Sequence, residues 1–312
     1  MVQKINKLKD SYFMGALMMF MTTLSWTTLH LFTKIILSSN PKLTGFDTVA
    51  FMATSLVVFY SIKATITGTS LNVFQYKGIA ILLVFLRVLL GNLNYAFVFC
   101  SLKYISISKG VLIYSWSPLF TYVWAGLFLG ENITKLNILL TLISIGGVYL
   151  LTLNHKNEAE EKSYEAIGYF LMLCGAFCYG TFFVILRKLS KLGVDLNMAP
   201  FYLGVGGMIQ IFFVNFIPGQ INYQHYRTED FLWFFILCCG QIGGQIFVGL
   251  TNEYSAASKM APINYSENVI TLLADILIFN YQFVFTDAIS MTIIVTWLMI
   301  PVISNLRSKP QQ

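Results

Sequence analysis

"SKGVLIYSWSPLFTYVWAGLFLGEN", Ser108 to Asn132, is a run of apolar and aromatic residues with a proline at its middle and a glutamate at its end. What such a segment can be depends on the solvent around it. The chain of 312 residues is 56% hydrophobic and 11% charged, with 27 phenylalanines, whereas soluble domains carry about 25% charged residues. The surrounding solvent is therefore a bilayer. Only helices and closed barrels satisfy every backbone group there, and long unbroken apolar runs favour helices.

Ten spans are expected, near Tyr12–Leu37, Phe46–Thr67, Gly78–Cys100, Ile105–Leu129, Leu136–Leu153, Ala166–Arg187, Leu196–Ile217, Phe231–Thr251, Ala256–Asn280 and Phe285–Asn305. The first is too long and uniformly apolar for a cleaved signal, so it reads as a retained helix. Cys100, Cys174, Cys178, Cys238 and Cys239 fall in or beside spans, which fits packing residues better than disulfides or metal ligands. The net charge of +6 is scattered over loops. That distribution fits lipid headgroups and argues against nucleic acid. More lysines and arginines fall inside than outside if both termini are cytoplasmic, which sets the expected orientation. The membrane itself, plasma or internal, is left open by this count.

The segment from Leu102, "LKYISISKGVLIYSWSPLFTYVWAGLFLGEN", aligns without gaps on "NEYSAASKMAPINYSENVITLLADILIFNYQ" from Asn252 at an offset of 150. Tyr104 meets Tyr254, Ser108 meets Ser258, Lys109 meets Lys259 and Thr121 meets Thr271. At an offset of 153, Gly15 meets Gly168, Met19 meets Met172, Thr28 meets Thr181 and Lys34 meets Arg187. Two offsets so close point to an internal duplication. The units are residues 1–153 and 166–312, joined by a polar linker at 154–165. Five spans per unit force the second copy to cross in the opposite sense, which makes an inverted repeat.

Pro118, Gly130, Glu131 and Gly147, with "ISIGGVYLL" following, resemble the end of an EamA-type domain of the drug/metabolite transporter superfamily. The resemblance covers both halves and is sharper in the first. The second has Asn268 opposite Pro118 and Asn280-Tyr281 opposite Gly130-Glu131, and its mid-helix acids look more like a poorly characterised branch of the solute carrier 35 group than its nucleotide-sugar carriers. The resemblance implies an all-α membrane protein of ten transmembrane helices, two inverted five-helix repeats around a central cavity, working by alternating access.

Charges deep in a span are functional candidates by default. Arg87, Glu267 and Asp275 qualify. Asn264, Glu267, Asn268, Thr271 and Asp275 recur at helical spacing on one face, and the repeat maps this face onto Tyr114, Ser117, Pro118, Thr121 and Ala125. Both stripes are expected to line one cavity. Gln241, Gln245 and Asn252 add polar groups from the eighth span, Asn94 and Tyr95 from the third, and Ser25, Trp26 and His30 from the first. Arg87 is expected either to ion-pair with Glu267 or Asp275 or to meet an anionic substrate. Glu267 is read as a proton-coupling carboxylate or a partner for a substrate amine, His30 as a packing residue, and Pro118 as the hinge of a bent helix. Lys109 and Lys259 are expected to snorkel to the interface.

HExxH, GxxxxGK[ST] and GxSxG motifs are missing, and no cofactor is implied. The glycosylation sequons at Asn132 and Asn264 sit too close to the membrane for use. The expected function is a secondary transporter of a small polar or amphipathic organic metabolite, with protons as a candidate coupling ion. An exchanger of nucleotide sugars or sugar phosphates in an internal membrane is the alternative within transport, and it would need several deep cations. Outside transport, the alternative is a membrane enzyme or receptor scaffold. Small-residue interfaces would serve internal packing or a dimer equally.

Overall fold

The computed structural model describes residues 12–105, 107–130, 162–195, 197–254, 263 and 266–278, with isolated positions in 135–146 and 285–296. Within them the chain is helical, without strands. In chain order the helices are α1 (Tyr12–Ser39), α2 (Gly45–Thr67), α3 (Ile79–Ser101), α4 (Ile107–Tyr114), α5 (Ser117–Leu129), α6 (Lys162–Lys191), α7 (Met198–Val214), α8 (Thr228–Tyr254) and α9 (Ser266–Ile278). Among the described residues, Gly45–Thr67, Ile79–Ser101, Ala166–Lys191 and Thr228–Tyr254 are long and apolar enough to cross a membrane. Most of the expected fifth and tenth spans lies outside the described residues, as do Glu131, Gly147, Lys259, Asn264 and the linker before Lys162.

Local chemistry sets the helix ends. Thr44 and Asp47 form a capping box at the start of α2, which ends on Gly68 at φ 65°, a left-handed conformation glycine adopts without strain. The span expected as one helix over Ile105–Leu129 is two. Pro118 sits in the first turn of α5, and its missing N–H cannot reach back to Tyr114, so α4 stops there. Ser115 and Trp116 form the break, with the Ser115 hydroxyl donating to the Val111 carbonyl at 2.7 Å. The repeat-related α9 starts one residue before the position matching Ser117.

The main helix pairings survive exchange of the two halves. α1 packs mainly on α8, and α6 on α3; α2 packs on α7. Exchanging α1 with α6, α2 with α7, α3 with α8 and α5 with α9 also carries the α3–α7 contact onto α8–α2, and α5–α6 onto α9–α1, all of which occur. Small residues permit this closeness. A Cβ on Gly180 would stand 2.6 Å from the Ser117 carbonyl oxygen, and one on Gly240 would stand 2.9 Å from that of Ser25.

At one end of the bundle the α1–α2 and α7–α8 connections are joined by polar contacts. Asn40 Nδ2 donates to the His225 carbonyl at 2.9 Å and to Asp230 Oδ2 at 3.0 Å. The Asn222 backbone N–H and the Tyr226 hydroxyl both donate to Asp47 Oδ1, at 3.0 and 2.9 Å. Burial, reinforced by the Asp47 carboxylate, pushes the Tyr226 phenol far above its ordinary range, so it stays a donor. At the other end the loop after α2 rests on the α6–α7 connection, with Tyr76 Oη accepting from the Asp195 N–H at 3.1 Å.

Gly180→Ala should lower the thermal unfolding midpoint in detergent, by an overpacking penalty of about 1–3 kcal/mol, because backbone atoms leave its Cβ no room. Gly243→Ala should do much less, since its nearest contact, 3.2 Å away, is the Ser25 hydroxyl, a small side-chain group that can shift.

Candidate functional site

The polar residues expected from the sequence to face one another meet in two buried centres. The first lies between α1 and α9. His30 Nδ1 is 2.6 Å from Glu267 Oε1, and both side chains are buried. This is a close, charge-assisted contact, of the kind that makes a buried carboxylate tolerable. Asn268 follows on the same helix and its Oδ1 accepts from the Ser115 hydroxyl at 2.9 Å, so the break between α4 and α5 is tied to α9. The Thr271 hydroxyl donates back to the Glu267 carbonyl at 2.8 Å.

The second centre lies among α3, α8 and α6. Arg87 Nη2 donates to Gln245 Oε1 at 3.1 Å; Gln245 Nε2 donates to the Tyr95 hydroxyl at 2.9 Å; that hydroxyl donates to Gln241 Oε1 at 3.1 Å. A chain of four buried side chains results. The Arg87 guanidinium lies 4.2 Å from the centre of the Phe182 ring, a cation–π contact.

Aromatic rings separate the centres. From His30 the contacts run through Tyr114 at 5.6 Å, then Tyr179 at 5.2 Å and Phe182 at 5.0 Å, which reaches Arg87. A parallel path runs through Phe99 at 6.4 Å and Tyr95 at 5.8 Å. A cavity of about 480 Å³ opens at the end opposite the Asp47–Tyr226 contacts, between Tyr60 and Lys63 of α2, the α6–α7 connection and the last turns of α8, and its wall includes Gln245. It touches the second centre and not the first.

The other expected residues that the structure describes have definite places, whereas Asn264 lies outside the described residues. Asn94 Oδ1 accepts from the Tyr114 hydroxyl at 3.3 Å. Ser117 is buried at the start of α5, and its carbonyl accepts from the Thr121 hydroxyl at 3.1 Å. Thr121 also reaches the Gly180 carbonyl of α6 at 3.4 Å, so these two residues face α6 rather than the cavity. Arg87 does not ion-pair with Glu267, which has His30; the Asp275 side chain, like that of Lys109, is outside the described residues. His30 is a partner of Glu267 as well as a packing residue. Ser115, Phe182 and Tyr179 are additional members, and only their position beside residues already singled out could have suggested them.

Residues 13–153 and again 166–300 match the EamA-like transporter family. The chain is 26% identical over 211 residues to solute carrier family 35 member G1 of Homo sapiens, covering 65% of this chain and 57% of that one. It is 24% identical over 192 residues to an uncharacterized transporter of Helicobacter pylori, covering 60% of this chain and 62% of the other. The chain therefore spans less than two thirds of the length of these curated relatives. A solved crystal structure with 16% sequence identity superposes over 96% of this chain with a TM-score of 0.75, a likeness of fold.

If His30 and Glu267 stabilise one another, a double-mutant cycle with His30→Gln and Glu267→Gln, followed by chemical unfolding in detergent micelles, should give a coupling of more than about 1 kcal/mol. Additive single effects would contradict the pairing.

Proposed function

This chain belongs to the EamA-like transporter family, and from that premise we propose that it is a multi-pass secondary transporter carrying a small organic solute through the core of a ten-helix bundle. The bundle is read as two inverted five-helix repeats, residues 1–153 and 166–312, joined by the linker at 154–165, with both termini cytoplasmic. Two family matches at corresponding halves support the duplication, as do the main helix pairings, which recur when the halves are exchanged. The relatives named for a role are carriers.

The observation that carries the reading is the buried His30–Glu267 contact between the first helix of one half and α9 of the other. Buried in a membrane bundle such a pair is expensive, and it sits at the junction that must shift when two halves rock. Glu267 is the proton-coupling carboxylate in this reading. Protonated, it loses its charge-assisted contact with His30, and the α1–α9 junction loosens; ionised, it holds. The cavity at one end, with the Asp47–Tyr226 seam at the other, corresponds to one of the two states of an alternating-access cycle. Pro118 and the Ser115–Trp116 break supply the joint between α4 and α5, where movement needs no helical hydrogen bond to be broken.

A solute with several phosphates would need several buried cations. Among the described residues the fully buried cation is Arg87, which favours a small solute over a nucleotide-linked sugar.

In proteoliposomes holding only the purified protein, uptake should saturate, show counterflow and follow an imposed pH gradient. Glu267→Gln should keep saturable counterflow and lose the response to the gradient. An unchanged gradient response in that variant removes Glu267 from the coupling step, and flux without counterflow removes the carrier mechanism.

A further inference from the structure

Proton coupling through His30 and Glu267 leaves Arg87 without a role. Its side chain is fully buried, and a guanidinium in a low-dielectric interior needs a counter-charge or a full set of acceptors. It has neither. Nη2 donates to Gln245 Oε1, whereas Nε and Nη1 have no acceptor. Phe182 covers one face of the plane, and among the described residues no carboxylate ion-pairs with the group. The planar fork of N–H groups is shaped for two oxygens of a carboxylate. Gln245 offers it one neutral oxygen, and Gln245 is also the member of this centre exposed to the cavity.

We propose that Arg87 and Gln245 form the binding site for the carboxylate of a monovalent organic anion, with the Gln245 oxygen filling the place of a solute oxygen until solute entering from the cavity displaces it. The route of entry rests on the transporter reading; the binding does not. Among the described residues Arg87 is the fully buried cation, and one such charge matches a single negative charge. The cavity mouth carries Asp195 and Glu253 as well as Lys63, so a polyanion would meet two carboxylates before reaching Arg87. Around the guanidinium the walls are aromatic. Trp26, whose ring stands 6.2 Å from that of Phe182, holds a buried Nε1–H with no acceptor. That donor suits a second oxygen near the carboxylate, as in a 2-hydroxy or 2-oxo acid, and the rings suit an apolar body.

The test is equilibrium binding and thermal unfolding of the purified full chain with acetate, lactate, pyruvate and benzoate, each against its own amide at constant pH and ionic strength. At least one carboxylate should raise the unfolding midpoint in a dose-dependent way while its amide does not, because ligands that bind the folded state stabilise it. Arg87→Lys keeps the charge without the fork and should weaken that binding. Gln245→Glu is the sharper variant. It places an internal carboxylate on Arg87 with almost unchanged shape, so the protein should unfold no lower than the unaltered chain and bind the carboxylate at least about tenfold more weakly, a loss of about 1.4 kcal/mol.

Binding of no carboxylate, equal binding of the amides, or undiminished carboxylate binding by folded Gln245→Glu protein would each overturn the proposal. Saturable flux of solutes regardless of head group would overturn it while leaving transport standing. Carboxylate binding without flux of any solute would do the reverse.

Discussion

His30 and Glu267 meet at 2.6 Å in the buried interior of the bundle, and much of the arrangement around them follows from keeping a carboxylate there. A lone buried carboxylate would shed its charge or draw in solvent. To hold it, α1 must present His30 at the height of the first turn of α9, and α9 must begin where it does. The start of α9 is fixed in turn by Ser115 reaching Asn268 from the break in α4–α5. An apolar pair of the same size would hold two helices together about as well and with less sensitivity to neighbours. The polar pair adds a fixed hydrogen-bond geometry at this junction.

The same requirement, that a buried polar group find a partner, is met differently at the bundle's ends. Lys34 Nζ donates to the carbonyls of Leu102 and Ile105, at 3.0 and 3.3 Å, where α3 has ended and its last carbonyls have no helical partner. Arg187, its counterpart in the other half, donates to the Asn252 carbonyl near the end of α8. Lys34 and Arg187 are 153 apart and Leu102 and Asn252 are 150 apart, the two offsets found in the sequence. Two cations at related positions thus cap two related helix ends, favoured by the helix dipole at each. The same physical function, capping a C-terminus, is served at these two positions by different residue types.

This explains which parts of the molecule were legible in the sequence. Span positions follow from hydropathy, and the boundaries of α2 and α3 fall within one residue of those expected. The stripe on α9 follows from helical spacing, and Glu267, Asn268 and Thr271 are indeed buried together. Less of the pairing could be read. His30 lies 237 positions from Glu267, and nothing local distinguishes a histidine that packs from one that meets an acid; only the approach of α1 to α9 does. Arg87 was visible as a costly residue, expected to meet either an acid of the chain or an anionic substrate. The structure instead closes a chain of amides and a phenol around it. Pro118 likewise reads from sequence as a bend inside one helix. The break arises upstream of it, because the hydrogen bond a proline cannot make belongs to the residue four positions earlier.

Two polar centres divided by aromatic rings also constrain how a solute could be handled. Tyr114, Tyr179 and Phe182 stand between the acid and the guanidinium, and their edge-to-face and tilted contacts leave little room for water. A charge crossing that partition uncompensated would meet the barrier that bilayer interiors impose. Events at Glu267 are therefore transmitted to Arg87 more readily through packing than through solvent. The helices offer such a route. α6 carries Tyr179 and Phe182 and lies against α3 and α5, while Gly180, with no room for a Cβ, locks it to the first turns of α5. Loosening of α9 from α1 removes the anchor on Ser115 at the α4–α5 break, and α6 rests on both pieces of that broken helix. A displacement of α9 at one centre would in this way reach the walls of the other through packed helices.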